Sequence, residues 1–227
     1  MTSYAFAPPP PPAVPILGEA ALYPVRRVYC VGRNYQAHRA EMGGADDPDP
    51  PFFFSKPADA VVPPGGDAPY PSLTKNLHFE MELVVAIGGS GSDVSREAAT
   101  GLIFGYAAGV DLTRRDLQTA YRDKGQPWEA AKGFDASGPI SAIKRWSAAP
   151  PRGRIRLKVN GAVKQDASLT DMIWDVPAIV AEASKIWRLE PGDLIFTGTP
   201  EGVGPLVKGD LVEGEIDEVG ALSFRIT

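Results

Sequence analysis

Apolar and polar residues alternate along "IRLKVNGAVKQDAS", residues 155–168, with Ile155, Leu157 and Val159 on one side and Arg156 and Lys158 on the other. Asn160 and Gly161 follow, a pair that tolerates the positive φ angles of a tight turn, so the stretch predicts a β-hairpin. A longer period marks "DVPAIVAEASKIWRLEPGD". Asp175 as cap, Pro177 in the first turn and an apolar stripe through Val176, Ile179, Val180, Ala183 and Trp187 predict an amphipathic helix that Pro191 and Gly192 terminate. "SDVSREAATGLIFGYAAGVDLTRRDLQ" reads as a helix capped near Ser95, an apolar strand ending at Asp111, and a second helical start with Thr113 as its candidate cap. Nearer the N-terminus, residues 28–31 form a strand-like run broken at Gly32. His38 and Glu41, three apart, then share one face of a helical turn. The "GGADDPDPP" that follows is loop composition, and a short helical turn joined to such a loop describes a lid as readily as an inert connection.

Strands and helices do not alternate regularly and no segment repeats, which favours a β-rich α+β domain over a doubly wound sheet. Residues 6–15, "FAPPPPPAVP", can enter neither a helix nor a sheet interior and should run as extended polyproline II. The predicted organisation is a proline-rich arm over residues 1–20, lying on the surface, and one catalytic domain over residues 21–227.

The pattern breaks in "LHFEMELVVAIGG", residues 77–89. On a strand, Glu80 and Glu82 share one face while Phe79, Met81 and Leu83 share the other. Adjacent carboxylates repel, and burial sharpens the repulsion unless a positive charge lies between them. The stretch is therefore either a solvated edge or part of a metal site. Asp111, at the end of an apolar strand, adds a third carboxylate, with helix capping as its alternative role. Three carboxylates suit Mg²⁺, Mn²⁺ or a looser Ca²⁺.

Composition narrows the partners. A net charge of -5 over 227 residues argues against nucleic acid or an anionic membrane. With one cysteine and two histidines, soft metal chemistry has few ligands. His78 beside the glutamates is a structural neighbour rather than a ligand, and Cys30 an apolar filler. Neither a secretory signal pattern nor an apolar run of spanning length is present, so a cytoplasmic location is expected. "VVAIGGSGSDV" imitates a dinucleotide loop, but Val94 stands where the third glycine belongs.

Six segments in order, "VYCVGRNYQAH", "PFFFSKPADAVVPPG", "LHFEMELVVAIG", "GYAAGVDLTRRDLQ", "GQPWEAAKGFDASGPI" and "PGDLIFTGTPEGVGPL", resemble the fumarylacetoacetate hydrolase family over nearly the whole chain from Val25 onward. The likeness is greatest to its short acylpyruvate hydrolases. The resemblance implies a mixed β-sheet roll of the fumarylacetoacetase C-terminal-domain type with a few short helices. It further implies one divalent cation per subunit, Mg²⁺ or Mn²⁺, on Glu80, Glu82 and Asp111. His38 and Glu41 correspond to a water-activating pair and Lys132 to a lysine beside metal and substrate, although most lysines are merely exposed. Arg33, Arg115, Gln118 and Thr199 correspond to pocket-lining positions.

The implied reaction is hydrolysis of the carbon-carbon bond of a 2,4-dioxo acid, fumarylpyruvate and water giving fumarate and pyruvate, in gentisate-type aromatic catabolism. A homodimer is the family expectation. The alternatives are a general acylpyruvase, an oxaloacetate decarboxylase or a hydroxymuconate-type isomerase on the same metal triad. From a different class comes a protein that binds keto acids without turning them over. For the second carboxylate of fumarylpyruvate, Arg33 and Arg115 are the candidate cations.

Overall fold

The computed structural model describes residues 3–38 in full, the backbone of residues 39–41, and residues 50–227. Nearly all of the loop read as a lid, residues 42–49, lies outside the described residues.

A six-stranded mixed sheet organises the chain. Its order is Lys144–Arg145, Ile103–Val110, Met81–Ile87, Asp193–Phe196, Arg27–Gly32 and Phe52–Lys56. Only the pairing of Asp193–Phe196 with Arg27–Gly32 is parallel; the other neighbours run antiparallel. A four-stranded antiparallel sheet built on the predicted hairpin lies beside it, and a three-stranded sheet joins Gly204–Leu206, Leu77–Phe79 and Thr113–Arg114. This is the β-rich architecture that the pattern predicts, with the mixed sheet and few short helices that the resemblance implies.

Alternation along Met81–Ile87 assigns its two faces to two cores. Met81, Leu83, Val85 and Ile87 pack with Ile155, Leu157, Val212 and Ile216 of the four-stranded sheet and with Ile179 and Val180 of the Val176–Ile186 helix. Val84 and Ala86 enter a second core with Val28, Cys30, Ala107, Leu194 and Phe196. Expectation and structure differ here, because the strand is buried on both faces. At about 1.5–3 kcal/mol for each fully buried aliphatic side chain, the four residues of the first face contribute roughly 6–12 kcal/mol before entropy is counted. That is enough to hold a strand carrying buried charge.

The hairpin forms as predicted, with Asn160 at φ 51° and Gly161 at φ 80°. A bulge between Leu157 and Lys158 shifts the register, leaving Val163 exposed and turning Gln165 inward. Ser95 and Asp175 cap their helices, through Ala98 N–H and Ala178 N–H respectively. Thr113 does not cap. Arg114 occupies the N-cap of Arg115–Asp123, and Thr113 sits in a short strand with its hydroxyl donating to Asp111 O at 3.2 Å.

The proline-rich segment is surface-exposed only in part. Residues 4–11 are exposed, whereas Ala13–Pro15 pairs with Leu22–Pro24, and Val14 and Ile16 are buried in the second core. Proline cannot donate to a ladder but is tolerated at an edge, and two aliphatic side chains are sufficient to seat the strand. Removing residues 1–12 should leave the melting temperature within about 1 °C. Removing residues 1–16 should lower it by roughly 10 °C, since two buried aliphatics at about 1.5–3 kcal/mol each convert at about 2–4 °C per kcal/mol in a chain of this size. Differential scanning calorimetry of the two truncations checks this.

Candidate metal centre and surrounding cleft

Strand register assembles the carboxylates. Met81 pairs with Val110 and Glu82 with Gly109, so the next antiparallel step sets Glu80 beside Asp111, whose N–H donates to Glu80 O at 2.8 Å. Gly109 is required opposite Glu82, because a Cβ there would lie 2.6 Å from Val84 Cγ2 and 2.8 Å from the Phe196 ring. One oxygen from each of Glu80, Glu82 and Asp111 lies within 4.8 Å of the others, and all three residues are buried.

Three cations face these three acids. Lys132 Nζ donates to Glu80 Oε2 and Asp111 Oδ2, each at 2.7 Å, and to Thr113 Oγ1 at 2.6 Å. Arg115 pairs with Glu80 Oε1 and donates to Gln118 Oε1 at 2.5 Å. Lys56 Nζ donates to the main-chain oxygens of Lys132 and Leu112 and stands 2.7 Å from Asp111 Oδ1. Burial pushes the Glu80 carboxyl up, but Lys132 and Arg115 more than reverse this and hold it well below the usual carboxylate range. Burial lowers the Lys132 ammonium and the Asp111 and Glu80 charges raise it further than that, so Lys132 stays cationic.

Glu82 has no such cation. Its Oε2 accepts the Gly198 N–H at 2.7 Å, yet burial, then Asp111 and Glu80, drive its carboxyl well above the ordinary value. Asp111 Oδ1 is likewise buried and receives no hydrogen bond of proper direction, although Lys56 supplies charge at ion-pair distance. An all-oxygen donor set with one under-compensated carboxylate and one orphaned oxygen fits a hard divalent cation.

His38, Arg33, Gln118, Thr199 and Lys132 line one cleft with Arg115, Glu80 and Glu82, so the structure brings the sequence candidates together. His38 is buried on the Gln36–Glu41 helix. The Glu41 side chain lies outside the described residues. Lys132, weighed above as a possible surface lysine, is 2% exposed. Arg114, the alternative to Arg115, turns away to stack on Phe134 at 4.4 Å and donate to Ala130 O.

A profile of the fumarylacetoacetate (FAA) hydrolase C-terminal family matches residues 27–227. The chain belongs to this family. It is 44% identical over 176 residues, 77% of its length and 92% of the other, to the fumarylpyruvate hydrolase of Ralstonia sp. The mitochondrial oxaloacetate tautomerase FAHD1 of Bos taurus is 41% identical over 203 residues, covering 88% of this chain and 91% of its own. Among solved structures, fumarylpyruvate hydrolase from Pseudomonas aeruginosa, in complex with Mn²⁺ and pyruvate, superposes with a TM-score of 0.96 at 47% identity over 99% of both chains. The buried Glu80, Glu82 and Asp111 triad of this FAA hydrolase family member is able to bind a divalent cation.

Two residues of the site escaped the sequence reading. Lys56 ends an aromatic strand in "FFFSKP", and a lysine closing an otherwise apolar run was its only signal. Gln165 accepts Met81 N–H and donates to Thr199 Oγ1, both at 2.9 Å, tying the metal strand to the Thr197–Thr199 turn. The bulge that turns it inward left no mark in the sequence. Cys30 is fully buried, with its thiol pushed well up by burial and then by Asp111, as suits a filler.

His78 is a support, as expected. Arg115 Nε donates to its Nδ1 at 3.4 Å, leaving Nε2 to carry the proton toward Asn76 Oδ1 at 2.9 Å. Burial and then Arg115 lower its pKa to about 4. The neutral ring is favoured in the folded state, so its contribution to stability is full above about pH 6.5 and is lost as pH falls toward 4. NMR of the His78 ring should show no charging until about pH 4, and His78→Gln should flatten the stability-pH curve between those limits. Glu82→Gln removes a repelled carboxylate and should leave the metal-free melting temperature unchanged or higher. The same variant should lose the rise of roughly 5–10 °C that Mn²⁺ at 100 times its Kd gives the wild type, read by thermal denaturation with Mn²⁺ or chelator.

Proposed function

We propose that the protein hydrolyses the carbon-carbon bond of a 2,4-dioxo acid, with fumarylpyruvate cleaved to fumarate and pyruvate. That substrate places it in gentisate-type aromatic catabolism. The observation that carries the reading is a buried imidazole, His38, lining the same cleft as Glu80 and Glu82 of the carboxylate triad. Hydrolysis needs an attacking water and hence a base, and imidazole is the usual proton carrier near neutral pH. The likeness to fumarylpyruvate hydrolases supports the choice of acyl group.

On this reading Glu80, Glu82 and Asp111 hold Mg²⁺ or Mn²⁺, which supplies Lewis-acid chemistry toward the 2-oxo acid end of the substrate. His38 takes a proton from water so that hydroxide adds to the C4 carbonyl, and the resemblance gives Glu41 as its partner in that role. Collapse of that adduct breaks the C3–C4 bond and releases pyruvate as its enolate. Lys132 stays cationic through its carboxylate partners and therefore offsets enolate charge rather than acting as base. Return of a proton to the enolate carbon completes the cycle. Arg115, fixed by Glu80 and Gln118, keeps one wall of the cleft in place.

A second reading, oxaloacetate tautomerisation, is favoured by the 41% identity to the Bos taurus tautomerase. Tautomerisation also needs a stabilised enolate but no attacking water. The purified protein should consume fumarylpyruvate with stoichiometric pyruvate release, and chelator should abolish turnover. His38→Ala should lose about 10²–10⁴-fold in kcat while Mn²⁺ affinity, by calorimetry, is retained. Full activity in His38→Ala sinks the hydrolytic mechanism. Oxaloacetate enol-to-keto conversion without any fumarylpyruvate cleavage moves the function to the second reading.

A further inference from the structure

We propose that Arg33 is a specificity-determining residue that receives the substrate carboxylate remote from the reacting carbonyl, so that the cleft selects dicarboxylic over monocarboxylic dioxo acids. The inference rests on the hydrolase reading for its substrate and on the structure for its residue.

Three Arg and Lys side chains line the cleft. Arg115 is committed to Glu80, and Lys132 to Glu80 and Asp111. Arg33 makes no hydrogen bond or ion pair among the described residues, although it is half-buried. Of the two candidates that the sequence leaves open, only Arg33 has its guanidinium available for a new anion. That group presents parallel N–H donors that match a carboxylate in a fork.

The backbone supports the assignment independently. Six non-glycine residues among those described have positive φ, and of these Arg33, at 59°, alone lines the cleft. A left-handed conformation is strained for a non-glycine residue and persists only where the surroundings over-determine it. Asn34 does so. Its Nδ2 donates to Trp174 O at 2.9 Å and Thr197 O at 2.8 Å, its Oδ1 accepts Trp174 N–H at 2.7 Å, and its main-chain oxygen accepts Ile173 N–H at 2.8 Å. Gly198, at φ 94°, packs against this turn so closely that a Cβ would lie 2.7 Å from Asn34 Cβ. Gly198 is also the residue whose N–H holds Glu82. One clamped unit thus fixes a metal-strand carboxylate and holds an unpartnered cation in a strained conformation beside the same cleft.

The test compares wild type, Arg33→Asn and Arg33→Lys. Asparagine tolerates positive φ, so folding is preserved while the charge is lost. Steady-state kinetics on fumarylpyruvate and on acetylpyruvate, which lacks the second carboxylate, should show kcat/KM of Arg33→Asn down about 30-fold or more for the first, mainly in KM, and within about threefold of wild type for the second. Arg33→Lys should fall between, keeping charge without the fork. An equal loss on both substrates, or no loss on either, overturns the proposal. Calorimetric titration with 2-oxoadipate and 2-oxohexanoate, which have no 4-oxo group to be cleaved, separates this failure from that of the hydrolase reading. Wild type should bind the diacid at least about tenfold tighter and Arg33→Asn should bind the two alike. That result from a protein that cleaves neither dioxo acid would refute the hydrolase reading and keep the role of Arg33. A preference that survives in Arg33→Asn would refute the role of Arg33 itself.

Discussion

Everything in this molecule accommodates three carboxylates buried side by side. Glu80, Glu82 and Asp111 are all buried, where unpaired charge is costly. Lys56, Lys132 and Arg115 match them in number but not evenly: Glu80 and Asp111 are paired, and Glu82 receives one backbone N–H. The imbalance leaves one position in the cluster short of positive charge, and a bound divalent cation is the natural counterpart of that shortage.

The two lysines divide the work by what anchors them. Lys56 is held by main-chain carbonyls behind the cleft and joins the Phe52–Lys56 strand to the segments bearing Asp111 and Lys132. Lys132 is held by the site's own carboxylates and lines the cleft. Gln165, reaching from the four-stranded sheet, links the Met81 backbone to Thr199 and thereby couples the second sheet to the site. Sheet packing and site geometry are one construction.

Much of this was legible in residue order. The Asn160-Gly161 turn, the caps at Ser95 and Asp175 and the shared face of Glu80 and Glu82 are local properties of a few adjacent residues, and local sterics and hydrogen bonding set them. Thr113 misled because a hydroxyl before a helix is as suited to a strand-edge contact as to a cap, and pairing with Leu77–Phe79 decided between them. The N-terminal arm misled because prolines dominate its composition while Val14 and Ile16 decide its packing.

By itself, then, the sequence determined the strand carrying two acids, the elements around it and, through the ordered likeness of its segments, the family. It could not say that Glu80 and Glu82 are buried rather than solvated, that Lys132 lies between two of the acids, or that Arg115 is committed and Arg33 is not. The meeting of the acids depends on the register of Met81–Ile87 against Ile103–Val110, and the cations reach them from helices outside that pairing. A side chain's partners across a sheet are set by which residues stand opposite after folding, and local pattern carries no information about that pairing.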